Sequence, residues 1–216
     1  MKKITLLSMA VALAFTGAAN AKIDAEQAKK LSSELTPFGA VRAGNADGSI
    51  PEWTGGIEKT PDGYTPGMHH LDPYPSDKVE FTITAANAEQ YKQYLTPGQL
   101  ALFKTYPDSF KMNVYKTRRS ASYPQHVYDE TLNNAVRAEL VEEGNGIKGA
   151  AVGIPFPIPA NGLEAIWNHI LRYRGEAIIR QGGQVTPTAS GDFTYIGFDD
   201  QLMLPYGKKG ASPEKL

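Results

Sequence analysis

From Thr36 to Asp77 the chain carries more than forty residues in which glycine and proline recur every few positions and no apolar period survives. Gly44, Gly48, Pro51, Gly55, Gly56, Pro61, Gly63, Pro66, Gly67, Pro73 and Pro75 punctuate it. Proline removes a backbone donor and glycine raises the entropic cost of order, so neither helix nor sheet is expected here. An irregular run of this length lies beyond ordinary loops. It is therefore either mobile or an extended arm laid over another surface. Trp53, Tyr64 and Tyr74 favour the arm, because aromatic rings gain little in a solvated linker. Inside it, Asn45-Ala46-Asp47-Gly48-Ser49-Ile50 has the middle of a calcium loop, yet Ala43 and Thr54 stand where the end ligands belong. An Asx-type turn is the expectation there.

Regular elements are expected on either side of the arm. Asp24 can cap a short helix reaching Ser33, with Ala25, Ala28 and Leu31 near helical spacing. Thr84 to Leu95 reads as helix, and Thr96-Pro97 opens another that carries Leu100 and Phe103. Phe110, Met112 and Val114 alternate with polar neighbours as in a half-buried strand. Gln125 to Glu143 returns to a helical pattern, with Tyr128, Leu132, Val136 and Leu140 stepping by four until Gly144-Asn145-Gly146.

The clearest helix follows a proline-spaced run, Ile154-Pro155-Phe156-Pro157-Ile158-Pro159, which cannot be a central strand. Asn161 and Glu164 form a capping box, and Leu163, Ile166, Trp167, Ile170 and Leu171 make one apolar face, with Asn168 and Arg172 opposite. Beyond Arg174 the period becomes two. Ala177 to Val185 and Phe193 to Leu204 read as strands, with Phe193 and Tyr195 on one face and Ile196 and Phe198 on the other. Both faces are apolar, unlike a sheet wetted on one side. One can pack on the Trp167 helix. The other requires a second protein layer, a partner or a greasy ligand.

The first twenty-one residues carry an address. Lys2 and Lys3, an apolar run from Ile4 to Phe15 and Ala19-Asn20-Ala21 form a secretory signal peptide whose apolar core is too short to span a bilayer. The mature chain is expected to start at Lys22, free of lipid because there is no cysteine to accept one. Removing Lys2 and Lys3 leaves 20 basic residues against 23 acidic ones, a net charge of −3. That balance provides no electrostatic footprint for nucleic acid. No later stretch is long and apolar enough for a chain integral to a membrane, and no cysteine-based zinc site is possible.

Catalytic patterns are thin. His69, His70, His126 and His169 have no metal-ligand spacing, and His169 beside Trp167 is expected to pack. Ser120 and Ser122 lie in no nucleophile elbow, and Arg118 and Arg119 suit a surface or carboxylate-paired role. No acid–base pair is legible. No enzyme activity, cofactor or metal is expected.

Three stretches together resemble a known bacterial family. They are Leu35-Thr36-Pro37-Phe38-Gly39-Ala40 running on to Gly55-Gly56; Tyr115 to Pro124 with Arg118-Arg119-Ser120-Ala121-Ser122; and Gly153 to His169 with its proline ladder, capped helix and Trp167-Asn168-His169. They are similar to domain of unknown function 1329, often labelled outer-membrane lipoprotein-sorting proteins. The resemblance runs from about Leu31 to Leu204. It implies a fold like the lipoprotein carriers: a curved antiparallel sheet, an incomplete barrel with an apolar concave face covered by helices. Family members are generally about twice this length, so the chain is expected to be an N-terminal or truncated part. The neighbourhood of such genes implies an outer-membrane channel-like protein and an efflux-type exporter as partners.

The expected fold class is α+β, a helical and irregular N-terminal half followed by the start of that sheet. The expected divisions are residues 1–21, 22–83 and 84–216. The expected role is a periplasmic, non-enzymatic carrier or accessory protein for lipid-like or other hydrophobic molecules. Its groove would be lined by Phe156, Trp167, Ile170, Ile178, Phe193 and Tyr195. The rival is an interaction module that docks on an envelope complex without a ligand.

Overall fold

Asp24 caps the first helix as its sequence requires. Its carboxylate accepts the Gln27 N–H at 2.7 Å, and α1 (Ala25–Lys29) runs on as a 3₁₀ turn over Lys30–Ser32 with Ala28 and Leu31 buried. This is a computed structural model, and it describes residues 23–215. The expected signal peptide lies outside the described residues. The described residues fall into two units: Ser32–Gln125, and residues 23–31 with 126–215.

In the unit Ser32–Gln125 the glycine- and proline-rich stretch is an arm laid along residues 118–123. Trp53 donates its indole N–H to the Ala121 carbonyl at 3.0 Å. Ile57 N–H reaches Ser120 O at 2.9 Å, and Phe38 stacks on Tyr123. Arg119 donates to the carbonyls of Val41 and Arg42 at 2.8 and 2.9 Å. A chain without a ladder has unpaired carbonyls, and one guanidinium satisfies several of them. Arg118 pairs with Asp77 at 2.6 Å, and the bond holds the Asp77 carboxyl below its ordinary range. Gly56 has φ +76°, and a Cβ there would lie 2.3 Å from Ala121 O, so only glycine permits the approach. The turn expected near Asp47 is present: Asp47 accepts from Ser49 N–H at 2.9 Å and Asn45 from Ile50 N–H at 2.8 Å.

The core of this unit is Ile83, Ala88 and Phe103, joined by Phe110, Met112 and Val114. Strand β1 (Phe81–Ile83) pairs antiparallel with β2 (Met112–Val114), with Phe81 opposite Val114. Between them α2 (Pro97–Thr105) starts at the expected Thr96 cap, completed as a box by Gln99. The helix expected over Thr84 to Leu95 is a 3₁₀ turn over Ala88–Tyr94 instead. Asn87 accepts the Thr84 N–H and donates to Thr82 O, which spends the residues before it on a turn.

The second unit begins with α3 (Gln125–Arg137), which ends six residues before the expected Glu143. Leu140 belongs to β3 (Glu139–Val141), which pairs with β4 (Gly146–Lys148) around Glu142 and Glu143, both at positive φ. The buried face of α3 is not the apolar step of four either. Leu132 and Val136 are exposed, whereas Val127, Thr131, Asn134 and Ala135 are buried. That face is small and polar because it packs on backbone: a Cβ at Gly153 would lie 2.0 Å from Thr131 Oγ1.

The backbone in question is Ala150–Pro157, an irregular segment buried throughout. Side chains supply the hydrogen bonds that a ladder would. Asn134 donates to Ala151 O and Ile154 O at 2.9 and 3.2 Å and accepts from Ala151 N–H at 3.1 Å. Tyr206 donates to Gly153 O at 2.5 Å, and its own carbonyl accepts Val152 N–H at 2.9 Å.

Helix α4 (Gly162–Ile170) starts at the Asn161 cap. The Glu164 carboxylate reaches back to Ala160 N–H at 2.6 Å and accepts from the Asn161 side-chain amide at 3.3 Å, rather than from the backbone N–H of the cap residue. Asn168, expected to face away, binds both backbone groups of Phe156, accepting at 2.8 Å and donating at 2.6 Å. Trp167 packs on Ala138, Ala150 and Phe156 and donates to Gly144 O at 2.9 Å. Leu163, Ile166 and Ile170 are about half exposed, and His169 is exposed rather than packed. The docked face was chosen by hydrogen bonds to the proline segment, and part of the apolar stripe is left outside.

The last two strands, β5 (Ala177–Pro187) and β6 (Phe193–Met203), form one antiparallel hairpin. Mixed helices and antiparallel strands make the fold α+β. Among the described residues the strands form three two-stranded sheets and no closed barrel.

Candidate functional site

Among the described residues, the hairpin β5–β6 carries a run of large apolar side chains with little protein cover. Its register pairs Ala177 with Met203 and Pro187 with Phe193, about 36 Å of ladder at ~3.3 Å per residue. Alternation places Ile179, Val185, Phe193, Tyr195 and Met203 on one face, and Ile178, Ile196, Phe198 and Leu202 on the other. Exposure is 80 % at Met203, 75 % at Ile179, 67 % at Phe193 and 63 % at Tyr195, and Ile196 and Phe198 are exposed on the reverse. The Trp167 helix does not cover the exposed residues of either face, contrary to the expectation from sequence. Trp167 is committed to the Phe156 core.

Local chemistry supports the ladder without that cover. Gly182 lies opposite Phe198 and Gly183 opposite Gly197. A Cβ at Gly183 would lie 2.2 Å from the Tyr195 ring, and one at Gly182 would lie 2.7 Å from the Phe198 ring. Each ring therefore lies over one glycine, on opposite faces, and replaces the contact that a side chain would make. Arg180 faces Asp200 across the ladder and donates to it at 2.8 Å. That hydrogen bond holds the Asp200 carboxyl below its ordinary range and the Arg180 guanidinium above its own. At the tip Thr188 N–H reaches Asp192 O at 2.9 Å, and at the base Leu204 N–H reaches Glu176 O at 2.8 Å. Both outer edges of the hairpin lack a strand partner among the described residues.

The six residues singled out from sequence lie in three places. Phe156 and Trp167 share the core of the second unit. Ile170 is on the open side of α4, beside a cavity. Phe193 and Tyr195 are together on one hairpin face near its tip, whereas Ile178 is on the reverse face near its base. Ile179, Val185 and Met203, which extend the Tyr195 face, were not singled out. The same alternation could have found them, because their odd numbers match the odd numbers of Phe193 and Tyr195.

Residues 82–216 match the protein family of unknown function DUF1329. The chain belongs to that family. It is also 47 % identical over 195 residues to Uncharacterized protein PA3922 of Pseudomonas aeruginosa, an alignment that covers 90 % of this chain and 43 % of that protein. The chain thus spans less than half the length of this relative. No solved structure matches it. Among the described residues no helix is long and apolar enough to cross a membrane.

Proposed function

We propose that this DUF1329 chain is a periplasmic, non-enzymatic carrier or accessory protein for lipid-like or other hydrophobic molecules in envelope transport. The hairpin β5–β6 is its contact surface. The observation that carries this reading is the exposure of large apolar side chains on both faces of one regular element. Covering one such side chain completely is worth about 1.5–3 kcal/mol. A ligand that covers several offsets an association cost of several kcal/mol. In this reading the hairpin is the first part of a curved antiparallel sheet of the lipoprotein-carrier kind. Phe193 and Tyr195 touch the ligand, while Phe156 and Trp167 hold the core that carries the strands. The periplasmic address rests on the leader in residues 1–21.

A second reading, an interaction module on an envelope complex, is favoured by the free outer edges of β5 and β6. Such edges accept an added strand. Native mass spectrometry of the protein taken from periplasm separates the two. A bound apolar small molecule is the expected result. A stoichiometric protein without one would replace the carrier with the module, and neither would overturn both.

A further inference from the structure

A separate cavity lies in the second unit, where the chain leaves α4 and where it leaves β6. Its volume is about 130 Å³, close to the ~150 Å³ of an apolar cavity known to take benzene. Ile170, Leu171, Leu204 and Pro205 provide apolar wall, and Arg172 and Arg174 are also on its lining. The two arginines differ. Arg172 donates to the His169 carbonyl at 2.6 Å, which engages one of its nitrogens. Arg174 is exposed and makes no hydrogen bond or ion pair among the described residues. Glu176, close along the chain, is turned to the Lys209 N–H at 3.1 Å. The site therefore joins an apolar wall to uncompensated positive charge.

We propose that this cavity binds a carboxylate amphiphile, with its apolar body against Ile170, Leu171 and Leu204 and its carboxylate on Arg174, assisted by Arg172. A guanidinium donates to a carboxylate in a two-pronged, charge-assisted bond, and the wall adds affinity only for an ion that carries an apolar body. Ile170 also begins the open stripe of α4 that continues through Ile166 to Leu163, about 10 Å at ~1.5 Å per residue. A tail longer than the cavity has that stripe to lie on. The inference stands on residues other than those of the hairpin and goes beyond the carrier reading by giving the ligand a charge.

Calorimetric titration of the purified chain with decanoate, decanol and acetate tests it. Decanoate is expected to bind and acetate not to. Arg174→Gln should weaken decanoate about tenfold, the loss of one charge-assisted bond, and leave decanol unchanged. Ile170→Trp, a substitution at a half-exposed position, should block both. Decanoate binding that survives Ile170→Trp but is lost in Ile179→Ser/Tyr195→Ser would overturn the cavity and leave the hairpin reading standing. Equal binding of acetate and decanoate, or equal weakening of decanol by Arg174→Gln, would also overturn it. The reverse pattern, loss in Ile170→Trp alone, upholds the cavity and counts against the hairpin.

Discussion

Two apolar stretches of the second unit have opposite fates. Ala150–Pro157 has no ladder and three prolines within its last few residues and the two that follow, yet it is the buried centre of the unit. The hairpin β5–β6 has a full ladder and apolar residues on both faces, yet those side chains lie open. Apolar content does not distinguish them. What does is the set of side chains committed to the backbone: Asn134, Asn168 and Tyr206 bring partners to the proline segment. The hairpin satisfies its own inner backbone groups and attracts no such partner. Burial of an irregular segment is possible only when its N–H and C=O groups are met. A regular segment is exempt, and its side chains remain available for another molecule.

The sharpest way to break this contrast is to empty the closed region. Phe156→Ala should cost about 3–5 kcal/mol in a denaturant titration, as for a buried ring. Asn134→Ala and Asn168→Ala come next. Each leaves at least two backbone groups of the segment without a partner, at about 1–3 kcal/mol per group. A loss below about 0.5 kcal/mol for either would show that the asparagines do not hold the segment. Tyr206→Phe should cost about 1 kcal/mol at neutral pH for the bond to Gly153. Burial pushes the Tyr206 phenol above its ordinary value of 10.0, so its neutral form is favoured in the folded chain. Its contribution is then complete below pH 10.0 and declines as pH rises further, because the unfolded chain loses that proton first. A pH series on wild type and Tyr206→Phe should show the phenylalanine variant losing less stability above that point. The smallest effect belongs to the open region: Ile179→Ser should change stability by no more than about 0.5 kcal/mol.

The caps and the strands of the last hairpin were legible because their signals are local. Asp24, Thr96 and Asn161 each act on a backbone N–H three positions on, and the alternation from Phe193 declares a strand within a few residues. The end of α3 was not legible. Leu140 continues the step of four, and only its pairing with Ile147 makes it strand. Asn168 was misplaced for a related reason. Counting apolar residues finds the greasy side of α4, but the docked side is set by the needs of Phe156, twelve positions away. The arm could be inferred from Trp53 and Tyr74, while its clasp, Arg119 on the Val41 and Arg42 carbonyls, spans more than seventy positions and leaves no local trace. The hairpin's missing cover was half legible: its two apolar faces were evident, and the helix expected to cover one was already committed elsewhere.

Titration with a neutral fluorescent apolar dye, such as Nile red, tests the functional claim for the hairpin most directly. The wild-type chain and Ile179→Ser/Phe193→Ser should melt within a few degrees of each other, since both positions are open. Wild type should bind the dye, and the double variant should bind it about tenfold more weakly or not at all. Equal dye binding by the two proteins, at equal stability, would contradict that claim.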